Sequence, residues 1–475
     1  MKHALLFFFI CFLGNSAFAG HNIAGTITYK HLGGLTYEAS IITYTETAGS
    51  SILLDRTSLD LSWGDGASTT LQRVSAQVIE GTIQKNVYKG THTYSSNGSY
   101  ILSMTDMGKR DAILNIEGGA YVALPFYLEA KLVANGSLQN NASEFLAPPI
   151  FKATVGQVYK IAFPVMDADG DEVSYELITP FSGNGTFISG YQLVTDVNPG
   201  VHNTYTFDAQ NGVFTWDAPQ QPGLYNVAMM VKECRDGQEA GYTIIDFQIQ
   251  VISIANEIRS LMELGTWPTP TSNGIQLNPN NSLQLSMYSN QMATDSVKIE
   301  AYGAAFLTNP PPQFTTDSTT STYLEKTFEW TPSSAIARCQ PYTILFRHSV
   351  FRGGHKFSVD KIERIVVRDS SMANCDSVQC VIQPNATVNR VRPSLNVQIS
   401  PNPFSNVTTL SWTGLEEVCD VTLYNLQGQT VYRKKDVLDS IVTIERRGLP
   451  AGIYFYSIEH QSKILAQGKL IVKDE

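Results

Sequence analysis

Val397-Gln-Ile-Ser-Pro-Asn-Pro-Phe404, Val421-Thr-Leu-Tyr-Asn-Leu-Gln-Gly-Gln-Thr-Val431, Arg447-Gly-Leu-Pro-Ala-Gly-Ile-Tyr-Phe-Tyr-Ser-Ile458 and the closing Lys469-Leu-Ile-Val-Lys-Asp-Glu475 are the blocks on which the reading of this chain turns. Within them β-branched and aromatic residues recur at every second position, and Gly, Pro or Asn fences each run. Gln427-Gly428 and Pro450-Ala-Gly452 are turn signals, because Gly tolerates positive φ and Pro arrives with φ already set for a turn. The pattern predicts a small antiparallel sandwich of about seven strands over residues 395–475.

In this order the blocks resemble the type A C-terminal sorting domain of the type IX secretion system. The resemblance is carried by Pro401, Asn402, Pro403, Gly428, Gly448, Leu449, Gly452, Tyr454 and Lys469, and it covers only the C-terminal end of the chain. It implies a route: across the inner membrane by the Sec machinery, then across the outer membrane by a dedicated translocon. The sorting domain is then removed, and the body is released or held at the outer cell surface.

The N-terminus fits that route. Met1-Lys-His is a short positive region, and Ala4 to Leu13 is an apolar run too short to span a bilayer. Ala17-Phe-Ala19 puts small residues at −3 and −1, so residues 1–19 read as a signal peptide cleaved between Ala19 and Gly20. Cys11 follows Ile10 inside the apolar run, where a lipid-modified Cys needs a small neighbour, so a lipoprotein is not expected. No later segment reads as an integral membrane span.

Composition points to tandem β-modules. At 475 residues the length suits three or four domains, each with its own core. Only 16% of residues are charged while 10% are aromatic, and no long stretch keeps a helical period. A net charge of −10 without a basic cluster argues against nucleic acid or an anionic membrane as partner. Five of the six cysteines lie beyond the signal peptide: Cys234, Cys339, Cys375, Cys380 and Cys419. The odd number leaves at least one thiol or an intermolecular bond. Cys375 and Cys380 are near enough to bridge locally, and Cys234 and Cys419 read as buried inert thiols.

The fold class expected throughout is all-β, a string of Ig-like β-sandwich modules ending in the sorting-domain sandwich. The first module spans 20–143. Its Trp63-Gly-Asp-Gly66, His92-Thr-Tyr94 and Asn97-Gly-Ser-Tyr100 resemble a PKD-type Ig-like domain, with Trp63 packed between sheets and Asp65-Gly66 in a hairpin turn. A repeat follows. Phe214-Thr-Trp216 and Phe328-Glu-Trp330 each precede a Pro-bearing turn, a strand led by Tyr225 or Tyr342, and a closing strand. This order is similar to cadherin-like and bacterial Ig-like modules, and the copies are placed at 144–254 and 255–371. A linker over 372–394 joins them to the sorting domain.

Motifs for catalysis are missing: there is no His-Glu-x-x-His, no Gly-x-Ser-x-Gly and no phosphate-cradling Gly loop. His348 and His355 are expected to face solvent on a hairpin. Tyr121 and Phe126-Tyr127 suit core packing better than sugar stacking. One cluster invites chemistry. Asp167, Asp169, Asp171 and the adjoining Glu172 surround Gly170, and alternating carboxylates on a bend can converge on a hard cation such as Ca2+, which takes six to eight oxygens. Cadherin-like modules carry such a run; a plain Asp-Gly turn explains it as well. The reading is a non-enzymatic surface or secreted protein, delivered by the type IX route, for adhesion to a protein or glycan ligand. A carbohydrate-binding or substrate-capture protein and a secreted hydrolase are the alternatives.

Overall fold

The computed structural model describes residues 22–473 apart from 48–54, 107–112, 117–123, 136–138, 201, 255–261, 266, 272–273, 291–294, 321–322, 370–395, 414–417, 426–428, 439 and 461–462. The signal-peptide cleavage point, Tyr121, Cys375, Cys380, Gly428 and the 372–394 linker lie outside the described residues. The chain divides into two compact units, Met1–Val388 and Asn389–Glu475. Both are built of β-strands, and among the described residues the only helical pieces are two 3-10 turns.

The larger unit begins with a ladder of strands that returns on itself. Asn22–Gly33 pairs with Thr36–Glu46, and the sheet continues through Ile83–Thr93, Ser68–Glu80, Ser58–Ser62, Gly98–Asp106 and Phe126–Ala134 to Gln238–Ile252. That last strand pairs back with the first, from Ala24 opposite Phe247 to Thr26 opposite Ile245. Gly25 stands where the ladder closes. A Cβ there would lie 2.9 Å from the Ile42 carbonyl oxygen and 2.8 Å from Leu128 Cδ1, so only glycine allows the approach. Trp63 is fully buried in the enclosed core beside Leu61, Leu102 and Leu132. The expected division at 143/144 therefore falls inside one hydrogen-bonded sheet, because the closing strand of the 144–254 copy also completes the first region.

The two copies of the repeat share a plan that extends beyond their sequence likeness. In the first, Trp216 meets the Tyr225 ring edge-on at 4.9 Å, and Lys152–Thr154 runs parallel to the closing strand. In the second, Trp330 meets Tyr342 edge-on at 5.0 Å, and Ile275–Leu277 runs parallel to its closing strand. Both tryptophans are buried, which is why the Phe-x-Trp blocks are visible in the sequence at all. The second copy is a sandwich of two four-stranded sheets around Phe328, Trp330, Ile344 and Phe346.

From Ile344 to Val350 the strand Tyr342–Arg352 is buried on both faces, and that decides how the copies meet. Ile344 and Phe346 point into the sandwich core. Leu345 packs on the other side against Ala147 and Ala162 of the first copy. Beside it Arg347 makes a two-pronged ion pair with Asp360 directly across the strands, at 2.7 and 2.8 Å. The guanidinium also donates to the Pro148 carbonyl at 2.6 Å, and Asp360 accepts the Ala162 N–H at 3.0 Å. Both side chains are almost wholly shielded from solvent. Burial works against the charge on Arg347, and Asp360 more than offsets it, holding the guanidinium above its ordinary value.

His348 does not face solvent as expected. Its place in the alternation sends it inward after Ile344 and Phe346, and its Nε2 lies 2.7 Å from Ser289 Oγ of the opposite sheet. His355 remains half-buried near the hairpin tip. Burial pushes the His348 imidazole down to about 4, so it is neutral in the fold at physiological pH. A depressed folded value means that unfolding takes up a proton once the pH drops below the ordinary histidine value near ~6.5. Stability is thus expected to be full above that value and to fall as the pH is lowered toward about 4, by on the order of 2–3 kcal/mol from this group. His348→Gln should flatten that slope in denaturant titrations run between pH 7 and pH 4. An unchanged slope would show that His348 titrates normally.

Candidate functional site

The acidic run lies where the two copies come together, on a cavity of about 470 Å3 lined by both. Asp167 caps its own turn. Its Oδ1 accepts the backbone N–H groups of Asp169 at 3.0 Å and Asp171 at 2.8 Å, and its Oδ2 accepts the Ser143 hydroxyl at 3.2 Å. Gly170 follows with φ +78, a left-handed conformation that favours glycine, and its carbonyl accepts the side-chain amide of Gln340 from the second copy. The Asp-Gly turn is thereby fixed from both sides of the junction.

Asp171 is buried and bound to Arg235, whose Nη2 donates to its Oδ2 at 2.7 Å. Arg235 also reaches Asp169 at 3.4 Å, the Gln139 carbonyl at 2.9 Å and Asn140 at 3.1 Å. The second copy has the same pair: Asp295 with Arg352 at 2.5 Å, at the end of the corresponding strand. Asp171 and Arg235 thus belong to the plan of the repeat. What the first copy adds is Asp167, Asp169 and the buried Glu233. Asp169 accepts the Asn141 backbone N–H at 2.6 Å and side-chain amide at 2.8 Å.

Among the described residues, Asp167, Asp171 and Glu233 bring carboxylate oxygens within 4.8 Å of one another. Glu233 enters this set, whereas Asp169 is drawn toward Asn141 and Glu172 begins the next strand. The donors are the hard oxygens calcium takes, but Arg235 already supplies positive charge to Asp171. Burial, reinforced by Asp171 and Asp169, pushes the Asp167 carboxyl up to about 6. Burial and the charge of Asp167 push Glu233 up to about 7, although Asn140 and Ser143 both donate to it. Two carboxyls this close compete for one charge, which is met by a shared proton or by a cation.

Cys234 and Cys339 line the same cavity, one from each copy, and both are in disulfides, so Cys234 is not the inert thiol expected from the sequence. Cys419 is buried in the terminal unit. In the first region, Asp65 accepts the Ala67 N–H at 2.9 Å and lies 2.7 Å from His92 Nε2, which stacks on Trp63. Phe126 and Tyr127 are buried.

The terminal unit places most of the sorting blocks together. Three strands, Asn396–Ser400, Val407–Thr413 and Ile441–Glu445, form one sheet; Thr430–Val437, Cys419–Tyr424, Gly452–His460 and Lys463–Val472 form the other. Asn402 bridges from the Pro401-Asn402-Pro403 segment to the last strand, donating to the Lys469 carbonyl at 3.2 Å and accepting the Ile471 N–H at 2.8 Å. Phe404 then pairs its backbone with Ile471 and Lys473 and buries its ring. Gly448 takes φ +83, Leu449 closes the turn onto Arg446, and Tyr454 donates to the Pro450 carbonyl at 2.9 Å, just past the start of the strand at Gly452.

Residues 398–473, within this unit, match the family model of the secretion system C-terminal sorting domain. The chain matches no curated protein. Among solved structures, the full Ig1–Ig3 ectodomain of mouse nectin-like molecule 4 aligns at 9% identity and a TM-score of 0.15, covering 68% of this chain and 97% of that one. A chicken TCR aligns at 13% identity and a TM-score of 0.16, covering 46% and 99% respectively. At such scores the alignments carry no argument.

Asp167→Asn keeps an oxygen for the two backbone N–H groups and puts an amide donor beside Ser143, while deleting the charge that burdens Glu233. Both acids have raised values, so their contribution is full below the ordinary carboxylate range and is lost as the pH rises through about 6 and about 7. The variant should therefore be more stable than wild type at pH 8, by on the order of 1 kcal/mol or roughly 2–4 °C in melting temperature, and should match it near pH 4. Melting curves in calcium and in chelator complete the test. A variant less stable than wild type at pH 8, most of all in calcium, would show that the carboxylate is needed ionised.

Proposed function

We propose that this chain is an exported, non-enzymatic protein of tandem β-modules, delivered by the type IX secretion system to act in adhesion or another surface interaction. The observation that carries the reading is the terminal sandwich, which matches the sorting-domain model and seats Asn402 and Phe404 on its last strand. A sorting domain implies export, and the apolar run Ala4 to Leu13 supplies the expected entry into the periplasm. No helix among the described residues is long and apolar enough to cross a membrane. The PKD-like and cadherin-like characters of the body belong to the same proposal. They are supported by the Trp63-Gly-Asp-Gly66 turn and by the two matching Trp–Tyr pairs. Within it the body is a stiff scaffold whose binding surface lies at the junction of the copies.

Deletion of Val397–Glu475 in the native host tests the export reading. The larger unit has its own cores and is expected to fold and accumulate in the periplasm, absent from the surface and the medium. Truncated protein found outside the cell at wild-type level would overturn the assignment. Mass spectrometry of the wild-type surface protein should further place its N-terminus at Gly20 and its C-terminus within 372–397.

A further inference from the structure

Six arginines near the junction of the two copies fall into two groups. Arg235, Arg347 and Arg352 each hold an aspartate in a close ion pair. Arg338, Arg364 and Arg368 have no carboxylate at ion-pair distance among the described residues, and all three line the one cavity. Arg338 donates its Nε to the Gln340 carbonyl at 3.1 Å and its Nη2 to the Pro341 carbonyl at 3.4 Å, and lies 3.8 Å over the Tyr342 ring, with neither bond using Nη1. Arg368 leaves its buried Nε without a hydrogen-bond partner. Burial lowers the values of Arg338 and Arg364, with the fields of Asp167 and Asp208 only partly opposing it.

The backbone holds the three in place. Arg338 donates its N–H to the Val367 carbonyl at 3.1 Å, next to Arg368, whose own N–H is tied to Leu277 at 3.2 Å. Arg364 lies in the strand His355–Val367 and Arg368 directly follows it, and both line the cavity with Val366 between them, about 13 Å apart at the rise of an extended chain. The first copy contributes Glu172 and Asp236 to the same cavity. One copy thus offers planar donors in forks that match oxyanions, and the other offers carboxylates that accept from hydroxyls. The volume is within the few hundred Å3 typical of small-ligand sites.

We propose that this cavity binds an acidic saccharide, its carboxylate or sulfate groups held by Arg338, Arg364 and Arg368 and its hydroxyls donated toward Glu172 and Asp236. A bare anion would use only the arginines, and a neutral sugar would leave them uncompensated. The inference gives a ligand class to the binding role proposed above. Its test is made in solution, so its failure leaves the export reading standing.

Calorimetric titration of the full mature chain with uronate- and sulfate-bearing disaccharides is the measurement, with their neutral counterparts and inorganic sulfate as controls at matched ionic strength. Binding of at least one acidic disaccharide is expected, at least tenfold tighter than the neutral sugar or sulfate. Arg364→Gln and Arg368→Gln should each weaken it tenfold or more, while Arg433→Gln in the terminal unit should not. Circular dichroism and melting temperature establish that the variants fold. Failure of every acidic disaccharide to bind, equal binding of neutral sugar or sulfate, or unchanged affinity in both cavity variants would overturn the proposal.

Discussion

The buried pair of Arg347 and Asp360 is the contact on which the arrangement of the body depends. Two unit charges away from water are a liability unless every remaining donor and acceptor is used. Here the strand pairing sets the two side chains opposite each other, and their spare positions go to Pro148 and Ala162 of the neighbouring copy. The pair is therefore satisfied only when the copies are docked. Removal of one partner of such a pair typically destabilises by ~3–5 kcal/mol. That asymmetry turns an apolar contact of Leu345 with Ala147 and Ala162, which alone would permit sliding, into a single register.

Register matters because the cavity has no wall of its own. Its acidic side comes from the turn at Asp167–Asp171 and its basic side from Arg338, Arg364 and Arg368, so it exists only while the copies keep their alignment. Gln340 reaching the Gly170 carbonyl is a second fastening at the same seam, and Lys356 with Glu80 at 3.0 Å adds one to the first region. The closed ladder of strands makes that first region continuous with the first copy, so the larger unit is one scaffold built from parts that read as separate modules.

Much of this was legible in the residues. Alternation and turn chemistry are local, and they announced the strands, the Phe-x-Trp repeat and the terminal sandwich. The junction was not legible, because nothing in a strand's own pattern says which second face will be covered. The continuous burial of Ile344–Val350 emerges only in the structure, and it also accounts for His348: a histidine in step with Ile344 and Phe346 belongs inside. The pairing of Asn22–Gly33 with Gln238–Ile252, which crosses the expected boundary at 143/144, is non-local and has no trace in either segment alone. At the site the Asp run was visible. Glu233 and Arg235 were not, although Arg235 and Arg352 occupy matching places after the two Trp blocks, and Asp171 aligns with Asp295. Arg338, Arg364 and Arg368 are scattered in sequence and gain meaning only from the cavity they share.

Hydrogen exchange followed by mass spectrometry on the full chain, comparing wild type with Asp360→Asn, tests the docking of the copies most directly. If Arg347 and Asp360 lock them, the variant should exchange faster in peptides from both sides of the seam, across Phe145–Phe163 and across Leu345–Ile362. Peptides from Gly452–His460 in the terminal unit should keep their wild-type rates. Faster exchange confined to Leu345–Ile362, with Phe145–Phe163 as protected as before, would contradict the account and leave the ion pair as a feature of the second copy alone.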